Sequence, residues 1–343
     1  MNKLRIPGYH IDIEKAAQLI NRKGYKKVML QIPEGLKTHA SKIADIIEKA
    51  TQATTLISAD PCFGACDLLN HEIHSLNMDL IIHIGHLPIP EIKNPGTPTL
   101  FINAKSTRPI KNVVEKAMPL LEGKKIGLTT TAQHIHTLNK IKKILLEKNF
   151  KPVIGTGDKR IAEKGQILGC NFSTATVIRD KVDSFLFIGS GNFHPLGLML
   201  TTKKTVIAAD PYTNTVKKEE LKMLKDKILR QRYAAIIQSK EAKQFAILIT
   251  TKTGQQRIEL AYTIKKMLNK QNKKAYILVL DNLSSTKLQG FSQIDCFIST
   301  ACPRIAIDDH MQYKKPIITP PELEIILGKR TWDEYILDQI LSK

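Results

Sequence analysis

One tryptophan, ten phenylalanines and eight tyrosines serve all 343 residues, so aromatics make up only 6% of the chain. With so few rings among its basic residues, a dedicated groove for nucleic acid is not expected. No apolar run approaches the roughly 20 residues a membrane span needs. The opening Met1-Asn-Lys-Leu-Arg5 leads into polar residues, not into the apolar stretch of a signal peptide. A soluble, cytoplasmic protein in a reducing compartment is expected. Cysteine is scarce and odd in number, five in all, which argues against a disulfide framework in so long and Lys-rich a chain. Neither a G-x-G-x-x-G fingerprint nor a Walker-type phosphate loop occurs. His and Asp are spread without forming a Ser-His-Asp set.

Acidic residues are also in short supply: 32 against 52 Lys and Arg leave a formal charge of +20. Such a field attracts an acidic partner over a distance. The lysines nevertheless fall as pairs along helical stretches, Lys142-Lys143, Lys217-Lys218 and Lys265-Lys266, and read mainly as solvated faces.

What is present is a set of three cysteines, each in a loop of its own. Cys66 lies in Asp60-Pro-Cys-Phe-Gly-Ala-Cys-Asp67, Cys170 in Ile167-Leu-Gly-Cys-Asn171, and Cys302 in Ser299-Thr-Ala-Cys-Pro-Arg304. A small residue precedes each, which permits close backbone approach and leaves the thiol little covered. Three thiolates do not complete a structural zinc site, which is four-coordinate and built from closely spaced pairs. They suit three irons of a four-iron cluster whose fourth iron stays open. Cys296, inside the strand-like Ile294-Asp-Cys-Phe-Ile298, reads as core, and Cys62, between Pro61 and Phe63, as part of a packed turn.

Short apolar runs alternate with helical patterns, the signature of parallel α/β sheets. The runs are Lys27–Ile32, Thr55–Ser58, Leu80–Ile84 and Thr99–Asn103; Lys125–Thr130, Pro152–Ile154, Ser184–Ile188 and Thr205–Ala209; and Phe245–Thr250, Ala275–Leu280, Cys296–Ser299 and Pro316–Thr319. Four strands recurring three times predict three pseudo-repeated units, each a mainly parallel four-stranded sheet flanked by helices, around a central site. The units are placed at 1–115, 116–225 and 226–343, with charged helical joints near Arg108–Leu121 and Val216–Ala234. Apolar spacing predicts helices over Ile11–Asn21, Thr38–Lys49, Thr137–Lys148 and Gln256–Gln271. Ligands of open α/β sheets gather beyond the strand carboxyl ends, so Cys66, Cys170 and Cys302 are expected to meet.

Other strand-end loops carry polar groups. Gln31-Ile-Pro-Glu-Gly-Leu-Lys37 holds a carboxylate at a turn, and the turn around Gly189, Gly191 and His194 suits close approach to a ligand. Thr251-Lys-Thr-Gly-Gln-Gln-Arg257 and Pro303-Arg-Ile-Ala-Ile-Asp-Asp309 add cations and carboxylates. His83 and His86 would face opposite ways on a regular strand, so joint ligation requires a turn between them; His83 reads as core and His86 as a cleft residue. His134 and His136 read as surface or helix-cap histidines.

Taken in order, Asp60–Asp67, Ile167–Cys170, Gly189-Ser-Gly-Asn-Phe-His-Pro-Leu-Gly197 and Thr300-Ala-Cys-Pro-Arg-Ile-Ala-Ile-Asp-Asp309 resemble the archaeal 2-(3-amino-3-carboxypropyl)histidine synthases of diphthamide biosynthesis. The likeness spans nearly the whole chain. It implies a three-domain homodimer with a [4Fe–4S] cluster on Cys66, Cys170 and Cys302. It further implies reductive cleavage of S-adenosylmethionine to methylthioadenosine, without the C-x3-C-x2-C loop of ordinary radical enzymes, and an electron donor. The 3-amino-3-carboxypropyl radical would be added to a histidine of translation elongation factor 2. Under this resemblance Gly189, Gly191, His194, Lys252, Gln255 and Arg304 are expected to bind the co-substrate. Two other readings stay open: a quinolinate synthase-like [4Fe–4S] dehydratase of a small molecule, and a non-catalytic protein that binds ribosomes or RNA.

Overall fold

Three separate parallel sheets share one strand order, and that repetition governs where the chemistry sits. The computed structural model describes residues 6–69, 71–92 and 96–342, and the side chains of 71, 72 and 74 are left out of the description. The first sheet runs Thr54–Ile57, Lys27–Gln31, Leu80–Ile84, Thr99–Ile102, all parallel. In the third the order is Lys274–Leu280, Gln244–Thr250, Cys296–Ser299, Ile317–Ile318, again all parallel. The second has Lys151–Val153, Lys125–Thr130, Ser184–Ile188 and Val206–Asp210 in the same arrangement. It departs from four strands by adding Thr215–Lys217 as an antiparallel edge. A small antiparallel pair, Tyr9–His10 with Lys105–Ser106, stands beside the first sheet.

Leu80–Ile84 and Ser184–Ile188 are buried at every position, as expected of strands covered by helices on both faces. The covering helices present the apolar stripes the spacing predicts. Ala40–Ala50 buries Ile43, Ala44 and Ile47; Leu138–Glu147 buries Leu138, Ile141 and Leu145; Ile258–Asn269 buries Ala261, Ile264 and Leu268. Two joints are helical as well, Lys111–Ala117 and the longer Glu219–Ser239. Lys142, Lys143 and Lys266 are exposed. Among the described residues no helix is long and apolar enough to cross a membrane.

One clamp recurs in all three sheets. An aspartate directly before the third strand of each unit accepts two backbone N–H bonds from the start of the first strand. Asp79 takes those of Lys26 and Lys27 at 2.7 and 2.9 Å, Asp183 those of Lys124 and Lys125 at 2.8 Å each, and Asp295 those of Lys243 and Gln244 at 3.0 and 2.8 Å. These N–H bonds hold all three carboxyls below the usual range, because they favour the charged form. A depressed folded-state pKa means the stabilisation is present at neutral pH and lost as pH falls through the carboxylate range, about 4 and below. Asp295→Ala is therefore expected to lower the thermal midpoint at pH 7, with the gap to the parent closing in acid. A pH series of melting curves checks it; a gap independent of pH would mean that the carboxylate charge is not what matters.

The histidine expectations divide. His136 is exposed, but His134 is buried to 1% exposure, which corrects its reading as a surface group. Its ring meets Tyr212 edge-on at 5.6 Å between centroids. An aromatic brought from a distant loop covers it, and its local sequence carries no sign of that.

Candidate active site

At the carboxyl ends of the three sheets, loops converge on a cleft of about 670 Å3 lined by Cys66, Cys170 and Cys302. Cys66 follows Thr54–Ile57, Cys170 follows Lys151–Val153, and Cys302 follows Cys296–Ser299. Each unit thus sends one thiol from beyond a strand end, where open α/β sheets place their ligands. Cys296 is absent from the lining and lies fully buried in the third core, its Sγ 3.3 Å from Ser239 Oγ. Cys62 is 5% exposed.

The loops are locked by groups from other units. Gly254 N donates to Cys66 O at 3.1 Å, and Arg160 Nη2 donates to Gly254 O at 2.8 Å, so one glycine carries contacts to the other two units. A Cβ on Gly254 would lie 2.3 Å from Cys66 Cα, closer than packed carbons approach. Gly254→Ala is thus expected to cost about 1–3 kcal/mol of overpacking strain and to displace the Cys66 loop. Iron content of the purified variant after reconstitution is the readout, and full loading would show the loop tolerates the shift.

Arg257 makes a bidentate pair with Asp338 at 2.6 and 3.0 Å while donating to Thr300 O and Ala301 O at 2.6 and 3.1 Å. It thereby fixes the segment leading into Cys302. The Cys170 loop is held from the same direction: Ile340 N donates to Cys170 O at 2.7 Å and Asn171 Nδ2 to Ile340 O at 3.1 Å. Segment 338–340 therefore clasps two of the three cysteine loops. Arg160, Asp338 and this clasp escape the sequence reading, since their partners are remote along the chain.

The polar groups of the cleft differ in how free they are. Lys252 is ion-paired to Asp67, both buried; burial raises the Asp67 carboxyl while Lys252 lowers it. Gln255 Nε2 donates to Cys66 Sγ at 3.3 Å. Arg304 is the open cation: its side chain is 51% exposed, it pairs with Asp308 at 2.7 Å and lies over the Phe193 ring at 4.5 Å. His194 lines the cleft, stacked on Phe187 with centroids 6.1 Å apart. Burial, helped by Arg304, brings its pKa down to about 4, so it is a neutral hydrogen-bonding group near pH 7. Gly189 and Gly191 stand outside the lining. Their φ angles of +152° and +76° shape the turn that delivers His194, and Gly191 takes a conformation L side chains rarely adopt.

Burial pushes all three thiols up, Cys302 to about 12, and Cys66 adds to the rise at both Cys170 and Cys302. Three thiols lining one cleft and raised in this way stay protonated unless a concentrated positive charge lies between them. Metal coordination supplies such a charge and deprotonates a thiol outright. This soft, all-sulfur donor set fits an iron–sulfur group.

A family model described as "Putative diphthamide synthesis protein" matches residues 32–336. The chain belongs to this family. Among the diphthamide synthesis proteins, the 2-(3-amino-3-carboxypropyl)histidine synthase of Pyrococcus horikoshii is 37% identical over 94% of this chain and 91% of its own. That of Methanocaldococcus jannaschii is 33% identical over 93% and 90%. The crystal structure of Dph2 from Pyrococcus horikoshii with a 4Fe-4S cluster superposes with a TM-score of 0.89 at 36% identity, covering 97% of this chain and 95% of that one. Relatives so named are transferases of diphthamide synthesis, and this likeness in both sequence and fold sets the chain apart from the dehydratase and ribosome-binding readings.

Proposed function

We propose that this chain transfers the 3-amino-3-carboxypropyl group of S-adenosylmethionine to a histidine of translation elongation factor 2. Cys66, Cys170 and Cys302 hold a [4Fe–4S] cluster, one ligand from each of the units 1–115, 116–225 and 226–343. The observation that carries this reading is the convergence of the three thiols in one cleft of a chain from this family. When bound, the cluster supplies an electron and an iron free of protein ligands.

The side chains do the positioning. Arg304, exposed at the cleft and ion-paired to its i,i+4 partner Asp308 over the Phe193 ring, can exchange that carboxylate for the one on the methionine moiety, in the bidentate geometry guanidinium favours. Lys252 is neutralised by Asp67 and acts on the substrate through that pair. Gln255 donates to the Cys66 sulfur and stabilises its thiolate. His194 is neutral and contributes a hydrogen bond rather than charge. Gly189 and Gly191 form the turn that presents it. Orientation decides which of the three C–S bonds of the sulfonium breaks. Here it is the bond to the γ-carbon, which releases methylthioadenosine.

A cytoplasmic homodimer served by a separate electron donor belongs to the same reading, as does attraction of the +20 chain to an acidic protein substrate. The test is anaerobic: reconstitute with iron and sulfide, reduce with dithionite, add S-adenosylmethionine and identify the nucleoside by mass. Methylthioadenosine is expected. Formation of 5′-deoxyadenosine instead would mean conventional cleavage and defeat the proposed mechanism.

A further inference from the structure

Beside the cleft, and reaching it through His86, lies a second cluster of side chains of metal-ligating type, apart from the three cysteines. Cys62 Sγ and ring nitrogens of His83 and His86 lie within 4.8 Å of one another. Sequence reasoning keeps the two histidines apart, because a regular strand points them to opposite faces. The structure turns the chain between them at Gly85, whose φ is +93°, and the rings meet with His83 Nε2 3.0 Å from His86 Nδ1.

The surroundings of His83 aim it for ligation. Gln31 Nε2 donates to Asp67 O at 2.6 Å, which turns Gln31 Oε1 toward His83 Nδ1 at 2.8 Å. An amide oxygen only accepts, so Nδ1 carries the ring proton and Nε2 is left with its lone pair facing His86 and Cys62. A carbonyl oxygen behind the remote nitrogen is the usual second partner of a metal-ligating imidazole. His83 is fully buried and Cys62 nearly so, while His86 lines the cleft. Two imidazoles and a thiolate make a three-ligand donor set of the kind that takes zinc with one position open.

We propose that Cys62, His83 and His86 bind one divalent cation of the zinc class, separately from Cys66, Cys170 and Cys302. The cation replaces the proton shared between the two rings: His86 moves its proton to Nε2, and Cys62 gives up its thiol proton to solvent. No electron is exchanged. The bound cation ties the turn that begins the Cys66 loop to the end of the Leu80–Ile84 strand.

The full chain carrying Cys66→Ser, Cys170→Ser and Cys302→Ser isolates this site from any cluster. Titration with Zn2+ against a chromophoric chelator is expected to show one equivalent bound. Titration with Co2+ should give a thiolate-to-cobalt charge-transfer band in the near ultraviolet. Adding Cys62→Ser should remove the band, and His86→Gln should weaken Zn2+ binding at least about tenfold, the low end even for loss of a group that only supports a metal ligand. No stoichiometric binding, or binding indifferent to both changes, overturns the proposal. If the triple variant does not fold, the reconstituted parent decides by metal analysis: one zinc beyond the iron, lost in Cys62→Ser while the iron remains, supports the site. No zinc, or loss of iron alone from that variant, refutes it and makes Cys62 a ligand of the iron group.

Discussion

Cys302→Ala is expected to leave the protein folded but without iron or acid-labile sulfide, and to abolish methylthioadenosine formation. Cys302 stands at the cleft, beyond the end of its strand, and the substitution removes only the hydrogen bond its thiol takes from the Arg304 backbone. Its loop is held by Arg257 through the carbonyls of Thr300 and Ala301, which the substitution leaves intact. Cys66→Ala and Cys170→Ala should behave alike. Cys296→Ala is the control, since that thiol packs against Ser239 in the third core; it should keep its iron and lose stability modestly. Iron and sulfide analysis beside circular dichroism makes the comparison. An intact cluster in Cys302→Ala would break the three-ligand assignment.

Arg232→Ala should be the most destabilising single change away from the cleft, by about 3–5 kcal/mol. Arg232 and Glu322 are both fully buried. They are joined by two bonds of 2.8 and 2.6 Å, and Arg232 also donates to Ala306 O at 2.5 Å and Ile317 O at 2.8 Å. Removing the guanidinium strands a carboxylate in the interior and leaves two carbonyls unpaired. Glu322 further accepts from Thr319 N at 2.8 Å and from the Tyr335 hydroxyl at 3.3 Å, so Arg232→Met with Glu322→Leu should recover only part of the loss. Urea denaturation of the single and double variants measures both. A loss under about 1 kcal/mol, the scale of a surface ion pair, would contradict the burial argument.

The sheets were legible in the sequence because parallel strands in such layers are written as short apolar runs, and all twelve predicted runs coincide with strands, the partly exposed edges included. Cys66, Cys170 and Cys302 stood out because each follows a small residue in a loop beyond a strand, and Cys296 read as core from the apolar residues around it. What remained hidden depends on partners far apart along the chain: Arg160 on Gly254, Asp338 on Arg257, Tyr212 over His134. The His83–His86 meeting was missed for a different reason. Alternation along a strand holds only while the strand continues, and Gly85 ends it. The aspartate clamps did carry a signal, an Asp directly before the third apolar run of each unit, but its meaning emerges only once the first and third strands are known to be neighbours.

Those clamps sit at the amino ends of the strands, whereas the cysteines, Lys252, Gln255, Arg304 and His194 all lie beyond carboxyl ends. Robustness and chemistry therefore occupy opposite rims of the same sheets. Stabilising substitutions commonly erode activity where they stiffen a site that must move or bear strain. Here the amino-end rim offers positions at which heat tolerance can be raised with the reacting groups a full strand length away. The carboxyl-end loops, in turn, are free to diverge toward other substrates without disturbing strand registration.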